Sequence, residues 1–223
     1  MILLTSYYDA KNERREAELL ECRKKNLECK AFDRIHRFFE QCEVLCIERQ
    51  EANRVNGKEV YVIVNDRMTY KDYFVYANMA LPNGTIVCLA NSDVWFDETL
   101  LNITDAQMDN RTFFACSRWG YMNEIGGWHW DEGYDKNAPI SQDAWIFRTP
   151  INWGAANLDF SMGCMRCDNV LAGAMQQAGY RVLNPTLPGP KSLKIHHEHR
   201  SQQHNYGQPV PGAMILVPPC KLG

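Results

Sequence analysis

The chain opens on a short apolar run, Ile2 to Tyr8, followed by a long polar segment, Lys11 to Lys30. The first has the length and composition of a buried β-strand. The second is rich in Glu, Lys, Arg and Leu and holds no Gly or Pro, which predicts a helix. The alternation repeats. Phe32 to Glu40 leads toward a second strand near Val44 to Glu48. Asn56-Gly57 marks a turn, and the β-branched run Val60 to Val64 predicts a third strand. Thr69 to Met79 carries aromatic residues at helical spacing and predicts a second helix. Pro82-Asn83-Gly84 breaks it, and Thr85 to Ala90 predicts a fourth strand. Strands alternating with helices imply an α/β fold, a single domain with a mostly parallel central sheet and helices on both faces.

The second half is less regular. Phe113 to Ser117 and Ala144 to Phe147 predict strands. Trp119 to Asn137, rich in Gly, Trp, His and acids, reads as a loop over a site. Asp168 to Ala178 predicts a helix with Gly179 just past its end. Tyr180 to Leu183 and Ser192 to His197 predict short strands, and the last twenty residues, with their Pro and Gly, a tail or wrap.

Bulk properties narrow the class. At 223 residues with 45% hydrophobic content, one domain can bury an ordinary core. A net charge of -3 supplies no electrostatic footprint for nucleic acid. The short run Arg23-Lys24-Lys25 reads as a solvated helix face. No apolar run reaches the length of a membrane span. The nine cysteines show no regular spacing, and several sit in apolar runs. Reduced thiols and a start without a basic leader point to the cytoplasm, or to the host cytoplasm for a viral protein.

The candidate chemistry centres on Val87 to Asp97. An apolar run ends in Asn91-Ser92-Asp93 and resumes at once with Val94-Trp95-Phe96. These polar residues suit a turn, but an acid between two core segments is costly unless a cation or metal pairs with it. Mn²⁺ and Mg²⁺ take such oxygen ligands together with substrate phosphates. His196-His197-Glu198-His199 lies on the last predicted strand, where 197 and 199 share a face. They read either as surface polarity or as metal or phosphate ligands.

Asp168 opens a helix, as a cap or first-turn acid or as a general base. Asp143, in Ser141-Gln142-Asp143-Ala144-Trp145, either binds sugar hydroxyls or ends a loop. Arg67 follows strand three, where a guanidinium suits phosphate or a planar base, and Thr69 behind it suits an N-cap. Cys164-Met165-Arg166-Cys167 lacks a second pair for zinc and reads as buried thiols. Neither a GxGxxG nor a GxxxxGK[ST] pattern is present.

Taken in order, these segments resemble the small GT-A-type glycosyltransferases. The segments are Thr5 to Asp9, Arg67 to Phe74, Ala90 to Asp97, Ala115 to Trp119, Ser141 to Phe147, Cys167 to Asn169, Ala178 to Val182 and His197 to His199. The likeness extends to the capsid-glycosylating domains of large algal DNA viruses and to similar bacterial proteins. It implies a UDP- or GDP-sugar donor, a glycan or glycoprotein acceptor, and Mn²⁺ or Mg²⁺. Asn91-Ser92-Asp93 stands at the place of the DxD motif with Asn for the first Asp. The resemblance therefore makes Asp93 a metal ligand and His197 or His199 its partner. Thr5, Tyr7, Arg67, Tyr70, Asn91, Ser92 and Asp93 would bind the donor. Asp143, Trp145 and Asp168 would face sugar and acceptor. If the reaction inverts, Asp168 is the first candidate for the catalytic base and Asp143 the second; if it retains, no base is needed and both acids are binding residues. Residues 1–97 would form the nucleotide half and 98–223 the sugar and acceptor half. Two rival readings stand beside this one: a nucleotidyltransferase, and a carbohydrate-binding or scaffold module without turnover.

Overall fold

The computed structural model describes residues 1–8, 10, 12–40, 57–118, 121–122, 128–129, 141–198 and 208–223. Its centre is a seven-stranded sheet. Five of the strands are β1 (Ile2–Tyr7), β2 (Arg34–Glu40), β3 (Glu59–Val64), β4 (Ile86–Ala90) and β6 (Thr112–Cys116). β9 (Ala144–Arg148) and β10 (Arg181–Leu183) complete it, in the order β10-β6-β9-β4-β1-β2-β3. All neighbours run parallel except β9, which is antiparallel to both β4 and β6.

Helices cover both faces, as the alternation predicts. On one face α2 (Tyr70–Ala80) and α3 (Cys167–Gln177) pack on Leu4, Leu89, Phe113, Trp145 and Phe147. On the other, Leu3, Ile35, Cys88, Phe114 and Ile146 meet β5 (Val94–Phe96) and β11 (Ile195–His197). β5 and β11 pair antiparallel and place His197 opposite Val94. A separate antiparallel pair, β7 (Tyr121–Met122) and β8 (Trp128–His129), falls in the segment expected as a loop; most of that segment lies outside the described residues.

α1 (Glu13–Glu28) packs against β5. Asn12 caps it by accepting from the backbone N–H of Arg14 and Arg15. At its other end the Lys58 ammonium donates to the carbonyls of Leu27 and Cys29, at 2.7 and 2.6 Å. The helix buries Arg15, Glu18, Leu19, Cys22 and Asn26, a helical stripe that is mostly polar. Asn26 donates to the Val94 carbonyl at 2.9 Å and accepts from the Phe96 N–H at 3.1 Å. The start of β5, directly after Asp93, is thus clamped to α1. The Arg23-Lys24-Lys25 run is only partly a solvated face. Arg23 pairs with the buried Glu59 at 2.7 Å, and Lys25 lies 4.0 Å over the Trp95 ring.

Two boundaries differ from the sequence expectation. The second strand is the run Arg34–Glu40 itself, and Val44 to Glu48 lies outside the described residues. β11 begins at Ile195, later than expected, because Ser192 and Leu193 bond back to the 185–189 turn. Thr69 caps α2 in a reciprocal capping box with Asp72. Gly179 sits past α3 at φ +87, as a C′ glycine should.

The C-terminal segment straps across α3. Gly173 allows this approach, since a Cβ there would lie 2.3 Å from the Ala213 carbonyl oxygen. Gly173→Ala is expected to displace the strap at a cost of about 1–3 kcal/mol. A thermal melt should show Tm lower by several degrees; an unchanged Tm would mean that the strap does not bear on the helix.

Candidate active site

The carboxyl ends of β1, β2, β3, β4 and β6 and the start of the antiparallel β9 face a cleft of about 740 Å³. This is the edge of an α/β sheet where ligands bind. Its walls include Tyr7, Arg67, Asn91, Ser92, Asp93, Asp143, Trp145, Asp168 and His197. The fold thus gathers nine of the residues singled out from sequence in one place. Thr5 and Tyr70, expected at the nucleotide, lie off it. β1 runs two residues past Thr5, which leaves Thr5 buried inside the sheet while Ser6, Tyr7 and Tyr8 reach the cleft. Tyr70 is fully buried in the first turn of α2, edge-on to Trp145 at 5.0 Å, with its hydroxyl on the Cys167 thiol. His199 lies outside the described residues.

Asp93 is 6% exposed. The Arg15 guanidinium contacts its Oδ2, and His197 Nε2 lies 2.9 Å from the same oxygen. Arg15 also donates to Glu18 Oε2 at 2.9 Å, to the Glu198 carbonyl at 3.0 Å and to the Tyr8 hydroxyl at 2.9 Å. One cation therefore ties α1 to the ends of β1, β4 and β11. The Asp93 carbonyl in turn accepts from the Glu198 N–H at 2.8 Å. The expectation that an acid flanked by core must be paired is met by a side chain from α1. Arg15 gave no signal in the sequence, because its partners lie 78 and 183 residues away.

His197 stands between two carboxylates. Its Nδ1 is 3.6 Å from Asp143 Oδ1 and 3.3 Å from Arg118 Nη1. Burial pushes the imidazole pKa down, but Asp93 and Asp143 outweigh it and hold the value above 6.5. Arg118 lies 3.5 Å from Asp143 Oδ2 and donates to Ser141 Oγ at 2.8 Å. Asp168, which also lines the cleft, accepts from the backbone N–H of Gln142 at 3.1 Å and of Asn169 at 2.9 Å. It is a first-turn acid of α3; the cap position belongs to Arg166, in the left-handed region at φ 71. Burial raises the Asp168 carboxyl above the usual range, the Asp143 charge adds to this, and the two N–H donors only partly offset it. Arg67 donates to the Met162 carbonyl at 2.5 Å. Gly163 makes room for it, since a Cβ there would come within 3.1 Å of the guanidinium.

The donor set suits a divalent cation. Asp93 Oδ2 and His197 Nε2 are 2.9 Å apart on the cleft wall, close to the ~3 Å between adjacent donors of an octahedral shell with ~2.1 Å bonds. Of the lone pairs on Asp93 Oδ2, one meets Arg15 and the other faces His197 Nε2, so a cation would take the place of the proton held between the two. Among the described residues no group of three or more His, Cys, Asp or Glu could hold a metal. The remaining ligands would therefore come from substrate phosphates and water, which is how Mg²⁺ is commonly bound. Cys164 and Cys167 line the cleft as free thiols, and burial pushes the Cys167 thiol up to about 11.

No protein-family model and no curated protein matches the chain. Solved structures do. A mannosyltransferase from Pyrobaculum calidifontis, in complex with GDP-Man and Mn²⁺, superposes with a TM-score of 0.55 at 13% identity, over 86% of this chain and 55% of that one. The chain has a GT-A-like fold. At this identity the likeness is one of fold, and the chain spans about half the length of that relative. S. aureus TarS 1–349 with UDP-GlcNAc (13% identity, 96% of this chain, 59% of that chain) and an inositol-1-phosphate CTP transferase from T. maritima (10%, 88%, 88%) both score 0.49. A likeness to the algal-virus domains is not shown by these structures. Among the described residues no helix is long and apolar enough to cross a membrane.

Two outcomes follow for the GT-A-like cleft. Arg15→Ala leaves Asp93 and Glu18 buried without their cation and should cost about 3–5 kcal/mol by denaturant unfolding. In metal-free protein the His197 ring should titrate above pH 6.5 by NMR, and Asp93→Asn should lower its midpoint. The stability from charged His197 is full below 6.5 and is lost as pH rises through the raised folded value. A midpoint unmoved by Asp93→Asn would refute the coupling.

Proposed function

We propose that the chain is a metal-dependent glycosyltransferase. It moves a sugar from a UDP- or GDP-sugar to a hydroxyl on a glycan or glycoprotein. The observation that carries this is the pairing of Asp93 with His197 at the carboxyl end of β4, in one cleft with a raised carboxyl, Asp168. In this reading residues 1–97 hold the nucleotide and residues 98–223 the sugar and acceptor. Tyr7, Phe38, Val64 and Tyr73 offer an apolar bed for the base, and Glu40 on the same wall can accept from its N–H groups. Arg67, Asn91 and Ser92 face the ribose and diphosphate.

Asp93 and His197 hold Mn²⁺ or Mg²⁺, which when bound offsets the charge that builds on the departing diphosphate. Arg15 fixes the Asp93 carboxylate in its ionised form and in one orientation. Arg118 and Asp143 flank the other ring nitrogen of His197, at 3.3 and 3.6 Å, and leave Nε2 turned to Asp93. As the acceptor oxygen bonds to the anomeric carbon and the carbon–diphosphate bond breaks, Asp168 takes the acceptor proton. A carboxyl raised by burial is a better base than an ordinary one. Asp143 and Trp145 line the sugar position.

Purified protein should bind UDP or GDP more tightly with Mn²⁺ than without and should release a nucleoside diphosphate from one nucleotide sugar. Asp93→Asn should abolish the Mn²⁺-dependent gain with an unchanged circular dichroism spectrum. Unchanged Mn²⁺-dependent affinity in that variant would sink the metal assignment. Asp168→Asn should lower turnover roughly 10²- to 10⁴-fold while leaving nucleotide affinity in place. Release of pyrophosphate would favour a nucleotidyltransferase, and the absence of any turnover a binding module.

A further inference from the structure

Three of the eight large apolar side chains exposed among the described residues lie on one lip of the cleft. Met165 is 45% exposed, Met214 48% and Leu216 64%. The lip is rigidly built. The Val210 N–H donates to the Met165 carbonyl at 3.0 Å. The Ile215 N–H donates to the Asn169 carbonyl at 3.3 Å, and the Asn169 amide donates back to the Ile215 carbonyl at 3.0 Å. The Asn184 amide holds the Val217 carbonyl at 2.9 Å. Along the strap the side chains alternate in direction. Ile215 and Val217 pack onto the core, and Met214 and Leu216 turn to the cleft.

Asn169, the residue bonded both ways to Ile215, directly follows Asp168. The apolar lip is thereby tied to the carboxylate assigned as base. Arg166 adds a second feature. Its left-handed backbone forms the turn into α3, and its Nε lies 2.9 Å from the Met214 sulfur. A backbone conformation unusual for a residue with a Cβ needs support from its surroundings and marks places under functional constraint. The polar demands of a nucleotide donor fall elsewhere, on Asp93, His197 and Arg67 and on the pocket between β1, β2 and β3. What remains for the lip is a ligand group that is apolar and attached to something presenting a hydroxyl near Asp168. Flexible methionines suit such a surface, since they conform to varied apolar shapes.

We infer that Met165, Met214 and Leu216 form an aglycone subsite, which binds an alkyl or aryl group carried by the acceptor. Calling the occupant an acceptor rests on the glycosyl-transfer reading. The contact itself does not. The probes are methyl, hexyl and octyl β-D-glucosides, each below its micellar concentration, with binding read by saturation-transfer NMR. Affinity should rise at least tenfold from methyl to octyl in the native protein, a small part of the threefold to fourfold per fully buried methylene. Met214→Gln combined with Leu216→Gln should flatten that dependence and leave Mn²⁺-dependent nucleotide affinity unchanged. A native protein indifferent to chain length, or a double variant that keeps the dependence, overturns the subsite. So does light scattering that shows a native dimer split by the double variant, because the lip would then be an interface between copies. Loss of nucleotide binding in native protein would overturn the glycosyl-transfer reading and leave the alkyl dependence as a separate result.

Discussion

The placement of one guanidinium governs this site. Arg15 reaches from α1 into a buried position and contacts Asp93, Glu18 and the backbone of Glu198. A carboxylate as buried as Asp93 cannot stay ionised without compensation. Arg15 supplies it, and its own charge is secure: burial disfavours the cation, but the two acids and Tyr8 more than offset that. With Asp93 held, His197 can approach within hydrogen-bond distance, and the β5–β11 pair that carries it is fixed against α1 by Asn26. Two charged layers follow outward, Asp93 with Arg15 and Asp143 with Arg118, and His197 sits between them.

The arrangement separates tasks along the cleft. The end nearest β1, β2 and β3 is aromatic and apolar with one carboxylate, Glu40. The middle holds Asp93, His197 and the arginines, where negative phosphate can be met. The far end, built from α3 and the strap, holds Asp168 and the exposed methionines. The sheet makes this division possible because β1, β2, β3, β4 and β6 deliver their carboxyl ends to one edge. β9, running the other way, delivers Asp143 from its start to that same edge.

Neighbouring residues of similar type have separated roles for the same reason. Tyr7 and Tyr70 are both aromatic residues near strand ends, yet only Tyr7 lines the cleft. Tyr70 turns inward in the first helical turn and supports Trp145 from beneath. The Trp95 and His196 rings stack at 3.7 Å under Lys25, on the outer surface of the β5–β11 pair, and His196 pairs with Asp97. Adjacent histidines therefore serve opposite faces, 196 outward and 197 toward the cleft, as strand alternation requires.

What the sequence by itself determined was everything that rests on local pattern. The apolar runs of β1, β3, β4, β6 and β9, the gap-free helix before β2, the Thr69 cap and the glycine past α3 all express short-range physics, and so does the sharp polar break at Asn91-Ser92-Asp93. Arg67, Asp143, Asp168 and His197 were legible as candidate positions, although their gathering in one cleft was not. Tertiary structure alone decided that Arg15 and Arg118 belong to the site and that α1 buries a polar stripe. It also placed Thr5 and Tyr70 inside the fold and an apolar strap beside Asp168. The reason is that side-chain contacts across 78 and 183 residues leave no trace in local periodicity. A buried arginine and a solvated one are written with the same letter, and only the packing of helix on sheet tells them apart.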